Sequence, residues 1–242
     1  MNTTYVKYEI LRLLRNKQNF IFSLIFPVAL FFFIAGSNKN EKIVGLPFPT
    51  YYMAGMMAFG TMGAVIGGGA RIAFEREQGW IRQLRLSPLT PRAYLRAKVL
   101  TSYLMAAITI VLMIVAGIIL GVSMPVQRWF ELVGLVLVGL IPFAALGILL
   151  GHLIKSDTMG PIMGGGISFL SIFGGAFGPL GNPGSTLNKI SQFVPSYWIV
   201  QAGHVATGAH AWSGKGWAIV AGWSVLLIYG AIWAYRRDGQ RG

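Results

Sequence analysis

The sequence predicts an all-α polytopic membrane protein: six transmembrane helices, an N-terminal interfacial amphipathic helix, and a short external amphipathic or re-entrant segment before the last span. Three observations point there. Of 242 residues, 55% are hydrophobic and only 11% charged, against about 25% charged in soluble domains. The charges are clustered, so that seven stretches (18–38, 43–70, 99–127, 132–154, 158–188, 190–214 and 216–235) contain no Asp, Glu, Lys or Arg. Each is 20 residues or longer, and about 20 apolar helical residues cross a hydrocarbon core of about 30 Å. Finally, 20 Lys and Arg against 7 Asp and Glu leave a net charge of +13. In a chain built of apolar runs this surplus reads as membrane topology and attraction to anionic lipid. No groove-reading module argues for nucleic acid.

At the N-terminus, Val6, Ile10, Leu13 and Leu14 share one helical face, with Lys7, Arg12 and Arg15 elsewhere around the axis. The spacing predicts an interfacial helix over 3–16. It reads as an anchor and topology signal, or as a helix that packs beside a partner. No small-residue cleavage site follows, so the first span is expected to remain in the mature chain. Spans are expected near 18–36, 50–70, 99–121, 130–152, 160–178 and 216–235. The remaining uncharged run, 190–214, is too polar, with Ser191, Gln192, Pro195, Ser196, Gln201, His204, Thr207 and His210. Within it Trp198, Ala202 and Val205 follow helical spacing on one side, and Tyr197, Gln201, His204 and Gly208 on another. An external segment over 179–215 is therefore expected, with Pro195, Tyr197, Trp198 and Gln201 in its amphipathic part.

Charge asymmetry supports this count. Six spans with a cytoplasmic N-terminus put fifteen Lys and Arg inside and five outside. Promoting 190–214 to a seventh span gives thirteen against seven, a weaker fit to the positive-inside rule. Both termini are then cytoplasmic. The largest cytoplasmic loop, 71–98, holds Glu75 and Glu77, two of the seven acids, and seven of the fifteen inside cations. Gly79 and Pro88 bound a short helical segment there. Thr90-Pro91 reads as an N-cap followed by proline at the first helical position. Phe74, Trp80, Ile81, Leu84 and Leu86 are too apolar for a loop that touches only water.

Thirty-two glycines include the small-xxx-small pairs Gly63/Gly67, Gly117/Gly121, Gly147/Gly151, Gly160/Gly164 and Gly174/Gly178, a spacing that lets helices approach closely. The runs Gly67, Gly68, Gly69 and Gly164, Gly165, Gly166 are weak helix formers, hence candidates for packing or hinge positions. His152, His204 and His210 do not form a metal site on this map. Arg128 and Glu131 are expected to pair at the start of the fourth span. No Asp, Glu, Lys or Arg sits in the middle of a span, which disfavours an ion-coupled transporter. Without cysteine there are no disulfides, Cys-ligated zinc or thiol nucleophiles. Ser168, in Gly166-Ile-Ser-Phe, lacks the second glycine and the histidine that an intramembrane serine protease would need.

The run Glu75-Arg76-Glu77-Gln78-Gly79, then Leu84, Pro88 and Lys98 leading into a span, resembles the cytoplasmic loop of permease subunits of type-2 ABC exporters. The likeness extends over the chain: interfacial helix, six spans, charged loop after the second span, and Val194-Pro195-Ser196-Tyr197-Trp198 before the sixth. Trp80 stands where such permeases usually have a small hydroxyl residue. The resemblance implies one permease domain over 1–242. It also implies that Glu75, Arg76, Glu77, Gln78, Gly79, Trp80, Ile81 and Leu84 couple to a separate ATPase subunit present in two copies. A second permease subunit, identical or similar, would complete the assembly in the plasma membrane. ATP and magnesium would belong to the partner, with no cofactor or metal in this chain, which is then no enzyme. No G-x-x-x-x-G-K-[ST] is present, and Gly214-Lys215-Gly216 lacks the frame of a phosphate-binding loop. Apolar and small residues in the spans suit a lipophilic or amphipathic cargo, such as a drug, antibiotic or lipid, with polysaccharide still open. The alternative is a passive channel or membrane assembly factor without ATPase coupling.

Overall fold

The computed structural model describes residues 7–11, 21–43, 45–80, 83, 90–181, 184–207 and 211–239. Residues 7–11 are helical; the rest of the expected interfacial helix lies outside the described residues. A π-helical turn, Ile21–Ile25, leads into α1 (Phe26–Ser37). A two-stranded antiparallel hairpin follows, β1 (Lys42–Ile43) and β2 (Leu46–Pro47), with Lys42 opposite Pro47 and Ile43 opposite Leu46. Then come α2 (Phe48–Glu77), α3 (Pro91–Ile119), α4 (Val126–Gly139), α5 (Ile141–Leu153) and α6 (Ser156–Gly174). The last part comprises α7 (Thr186–Ser191), α8 (Pro195–Gln201), a 3-10 turn (Ala202–Thr207) and α9 (Gly214–Gly239).

Proline placement explains several of these starts. Pro49, Pro91 and Pro195 each fall in the first turn of a helix, where the missing N–H has no intrahelical acceptor to lose, whereas Pro27 and Pro142 mark changes of helix within longer helical runs. Thr90 caps α3, its hydroxyl oxygen accepting from the Ala93 amide at 3.3 Å. Pro142 also separates α4 from α5 at Leu140, and the two together still form an apolar helical run over 126–153.

Four helical stretches among the described residues are long and apolar enough to cross a membrane: Phe48–Glu77, Arg92–Ile119, Val126–Leu153 and Gly214–Asp238. They match the second, third, fourth and sixth expected spans. The first corresponds to the shorter apolar helix around α1, with 18–20 outside the described residues. The fifth corresponds to α6, 19 residues broken in apolar character by five glycines and Pro161. Several helices overrun the expected span edges at the charged ends. Thus α2 continues to Glu77, and α6 begins at Ser156 with Asp157 in its first turn, where a carboxylate favours the helix dipole.

α2 is the centre of the bundle. An 18-residue stretch of it is 89% buried, against 17% for the corresponding stretch of α9. It packs against α1, α3, α5 and α6. Its core residues are small or pliable, including Met53, Met56, Met57 and Met62, all fully buried; methionine fills the irregular gaps between crossing helices. The crossing of α2 with α5 is closest at glycine. A methyl group on Gly69 would stand 2.3 Å from the Gly147 backbone, and one on Gly147 would stand 2.6 Å from the Ile66 carbonyl oxygen. Apolar side chains face outward instead on α3 (Val111, Val115, Ile118) and α9 (Val225, Leu226, Tyr229), as lipid contact requires.

Candidate functional site

The buried and half-buried charged contacts among α2, α3, α5 and α9 converge on the last turn of α2, which we call the loop end of the bundle. Glu75 and Arg76 are neighbours in sequence, so their side chains leave the helix about 100° apart and reach opposite groups of helices. Glu75 is fully buried. Its Oε1 accepts from Lys98 Nζ at 2.6 Å, and its Oε2 from the Tyr94 hydroxyl at 2.5 Å, both on α3. Lys98 is itself only 1% exposed and also bonds Glu9 Oε1 at 2.5 Å. The helical residues 7–11 are thereby fastened to α2 and α3 through one buried ammonium. Glu9 is 4% exposed while Tyr8 and Leu11 beside it are exposed, so the acid is the part of that helix turned into the protein.

Arg76 goes the other way. Its Nη1 donates to the Gly151 carbonyl at 3.1 Å and the His152 carbonyl at 2.7 Å, two acceptors left open at the C-terminal end of α5. Its Nε lies 2.8 Å from Asp238 Oδ2 on α9. His152 Nδ1 meets the same oxygen at 3.1 Å, and its ring stands edge-on to Tyr235, 5.4 Å between centroids. Two adjacent charged residues thus hold the loop ends of α3, α5, α9 and the N-terminal helix against α2.

What remains of the predicted loop site faces solvent. Glu77 and Gln78 are exposed, as are Trp80 at 40% and Phe74 at 43%. The chain can turn here because Gly79 takes a left-handed conformation, φ 71°, with its amide bonded to the Arg76 carbonyl at 3.1 Å. This is the glycine position that ends a helix. Helical structure resumes at once: Trp80 is helical and the Gln83 amide donates to the Gly79 carbonyl at 3.2 Å. Ile81 and Leu84 lie outside the described residues. Beside the anchored Glu75 and Arg76, the exposed Phe74, Glu77, Gln78 and Trp80 form an arc of apolar and polar side chains open to solvent.

The predicted glycine positions separate into two kinds. Gly68 and Gly69 belong to tight crossings, Gly68 against Ser102 of α3 and Gly69 against Gly147. Gly67 is buried in the same turn, and a methyl group on Gly63 would stand 4.0 Å from Ile167. Gly164, Gly165 and Gly166 have open space where a side chain would be.

The segment before α9 lies at the opposite end of the bundle and does not join the loop site. It is inserted among the helices rather than laid on them, with α8 packed against α2, α4, α6 and α9. Trp198, Ala202 and Val205 are buried; Tyr197, Gln201 and His204 are half-buried. Pro195 is buried at the start of α8, and the Tyr197 ring stands edge-on to Trp198, 5.4 Å between centroids. Indole N–H groups satisfy backbone carbonyls of this segment: Trp198 donates to Gln192 at 2.9 Å, Trp212 to Trp198 at 2.6 Å, and Trp223 to Phe193 at 2.8 Å. Irregular backbone packed among helices needs such internal partners. The Arg128–Glu131 pair forms as expected, 2.7 Å apart. Among the described residues, no group of three or more His, Asp or Glu stands close enough to hold a metal ion.

Comparison with known proteins agrees with the layout. The chain is 29% identical over 226 residues, 91% of its length and 87% of the relative's, to a Bacillus subtilis (strain 168) protein, YvfS, whose name describes a transport permease. No solved structure matches. The family described as ABC-2 family transporter protein matches residues 3–235, nearly the whole sequence. The chain is therefore a multi-pass membrane protein that belongs to the ABC-2 transporter family, a transport component rather than a catalytic chain.

Proposed function

We propose that the chain is the membrane-spanning subunit of an ATP-driven exporter in the plasma membrane. On this reading it has six spans with both termini cytoplasmic, and it forms the path for a lipophilic or amphipathic substrate such as a drug, antibiotic or lipid. The observation that carries the proposal is the division of the loop end. Glu75 and Arg76 are consumed in holding helices together, while Phe74, Glu77, Gln78 and Trp80 stay exposed beside them. Aromatic side chains exposed next to a rigid anchor have the character of interface anchors. A separate ATPase subunit, two copies per assembly, is the partner this surface fits, since the chain carries no phosphate-binding loop of its own. ATP and magnesium belong to that subunit.

A second permease subunit, identical or similar, would cover apolar faces that the single chain leaves open. Phe33 of α1 is exposed, as are Phe169 and Ile172 of α6 beside the open Gly164–Gly166 edge. The test is reconstitution: the chain and its co-purifying ATPase in proteoliposomes should move a lipophilic probe only with hydrolysable ATP. ATP-independent flux would favour a passive channel instead.

A further inference from the structure

We propose that Asp238 is a positioning residue that links the coupling loop to the opposite end of the bundle, with α9 as the connecting rod. This rests on the reading of the exposed arc as the ATPase contact. At the loop end, one oxygen of Asp238 receives both Arg76 Nε, at 2.8 Å, and His152 Nδ1, at 3.1 Å. Arg76 shares the last turn of α2 with Phe74 and Glu77 of the exposed arc, so a displacement of that turn acts on Asp238 directly. From there α9 runs unbroken from Gly214 to Gly239 without proline, a length of about 39 Å at 1.5 Å per residue.

Its far end has no slack. A methyl group on Gly216 would stand 2.4 Å from the Trp198 ring, so the helix backbone rests on the indole itself. Lys215 Nζ bonds Gln192 Oε1 at 2.8 Å, and the Trp223 indole bonds the Phe193 carbonyl. Three contacts therefore join α9 to the inserted α7–α8 segment, two exposed hydrogen bonds and the close-packed Gly216–Trp198 approach, and a close-packed contact transmits displacement instead of absorbing it. Between its two ends α9 is mostly uncovered and packs chiefly along α5, so a displacement at Asp238 is carried along one helix pair. The latch itself is partly solvated, with Arg76 30% and Asp238 21% exposed. It can open and close without dismantling the core, unlike the fully buried Lys98 cluster.

The absence of cysteine makes the test direct. Leu187→Cys, at an exposed site on α7, is labelled with an environment-sensitive maleimide dye, and the chain is reconstituted with its ATPase in proteoliposomes. Adding a non-hydrolysable ATP analogue should change the emission. Asp238→Asn and Asp238→Ala should cut that change roughly fivefold or more, while ATPase co-purification and ATP hydrolysis are retained and Asp238→Glu restores the response. A response in Asp238→Asn and Asp238→Ala equal to the parent's overturns the proposal. So does a parent whose label is silent although the ATPase is bound and hydrolysing, and in that case the functional reading stands. A parent that retains no ATPase overturns both.

Discussion

Lys98→Met separates a structural account of the loop end from a decorative one. The substitution keeps the length and apolar stem of the side chain and removes only the ammonium. In the native protein that ammonium lies 2.5 Å from Glu9 and 2.6 Å from Glu75, with all three side chains at most 5% exposed. Without it, two buried carboxylates lose their shared cation. Breaking a buried ion pair by deleting one partner costs about 3–5 kcal/mol, because the charge left behind has neither solvent nor counter-ion. For a chain of this size that is a loss of roughly 6–20 °C in Tm. The assay is thermal unfolding in a mild detergent, read as the loss of the monodisperse size-exclusion peak. The triple variant Glu9→Gln, Glu75→Gln, Lys98→Met should recover most of the loss, since an apolar or neutral replacement of a whole buried cluster is often tolerated. A Lys98→Met protein within about 1 kcal/mol of the parent would refute the reasoning, because that is the value of a solvated pair.

Glycine substitutions should divide as the two kinds of position do. Gly147→Ala forces a methyl group against the Ile66 backbone and is expected to destabilise by about 1–3 kcal/mol; Gly165→Ala meets open space and should be neutral or stabilising by up to about 1 kcal/mol. Thermal unfolding distinguishes them, and if Gly165→Ala keeps its stability but loses transport, the 164–166 run is a hinge. Trp198→Ala removes the ring on which Gly216 rests and is expected to cost about 3–5 kcal/mol, measured in the same way.

Local features were the legible part of the sequence. The Thr90-Pro91 cap, the Arg128–Glu131 pair and the division of 197–205 into a buried and a half-buried face all depend on residues within a few positions of each other, and each is found. The charge-free runs located helices but not the ends of those helices. Charge marks the edge of the hydrocarbon, whereas a helix continues past it, as α2 does to Glu77. The loop motif was also visible, but its residues read as one surface. Only the fold reveals that Glu75 is buried against α3 and that Arg76, 30% exposed, is paired with α5 and α9. Lys98 stood out as a loop-motif residue leading into a span, yet nothing local shows that it joins Glu9, 89 residues away, to Glu75, 23 residues away. Pairings at such separations leave no local period to read. The same is true of Asp238 with Arg76, and of the α7–α8 segment, whose polar composition suggested a place at or only partly below the membrane surface. Three of that segment's backbone carbonyls accept tryptophan N–H groups, and α8 packs among the helices.

The claim on which the account depends is that the exposed arc of Phe74, Glu77, Gln78 and Trp80 is where an ATPase subunit docks. Trp80→Ala tests it most directly, since the side chain is exposed and its loss should leave the unfolding temperature unchanged. Binding of the purified ATPase subunit to the detergent-solubilised chain, titrated by fluorescence anisotropy, should weaken by at least about 2 kcal/mol, roughly 30-fold in Kd, as for an aromatic interface anchor. An unchanged Kd for Trp80→Ala combined with Glu77→Lys, in a chain that still binds the ATPase, would contradict the account.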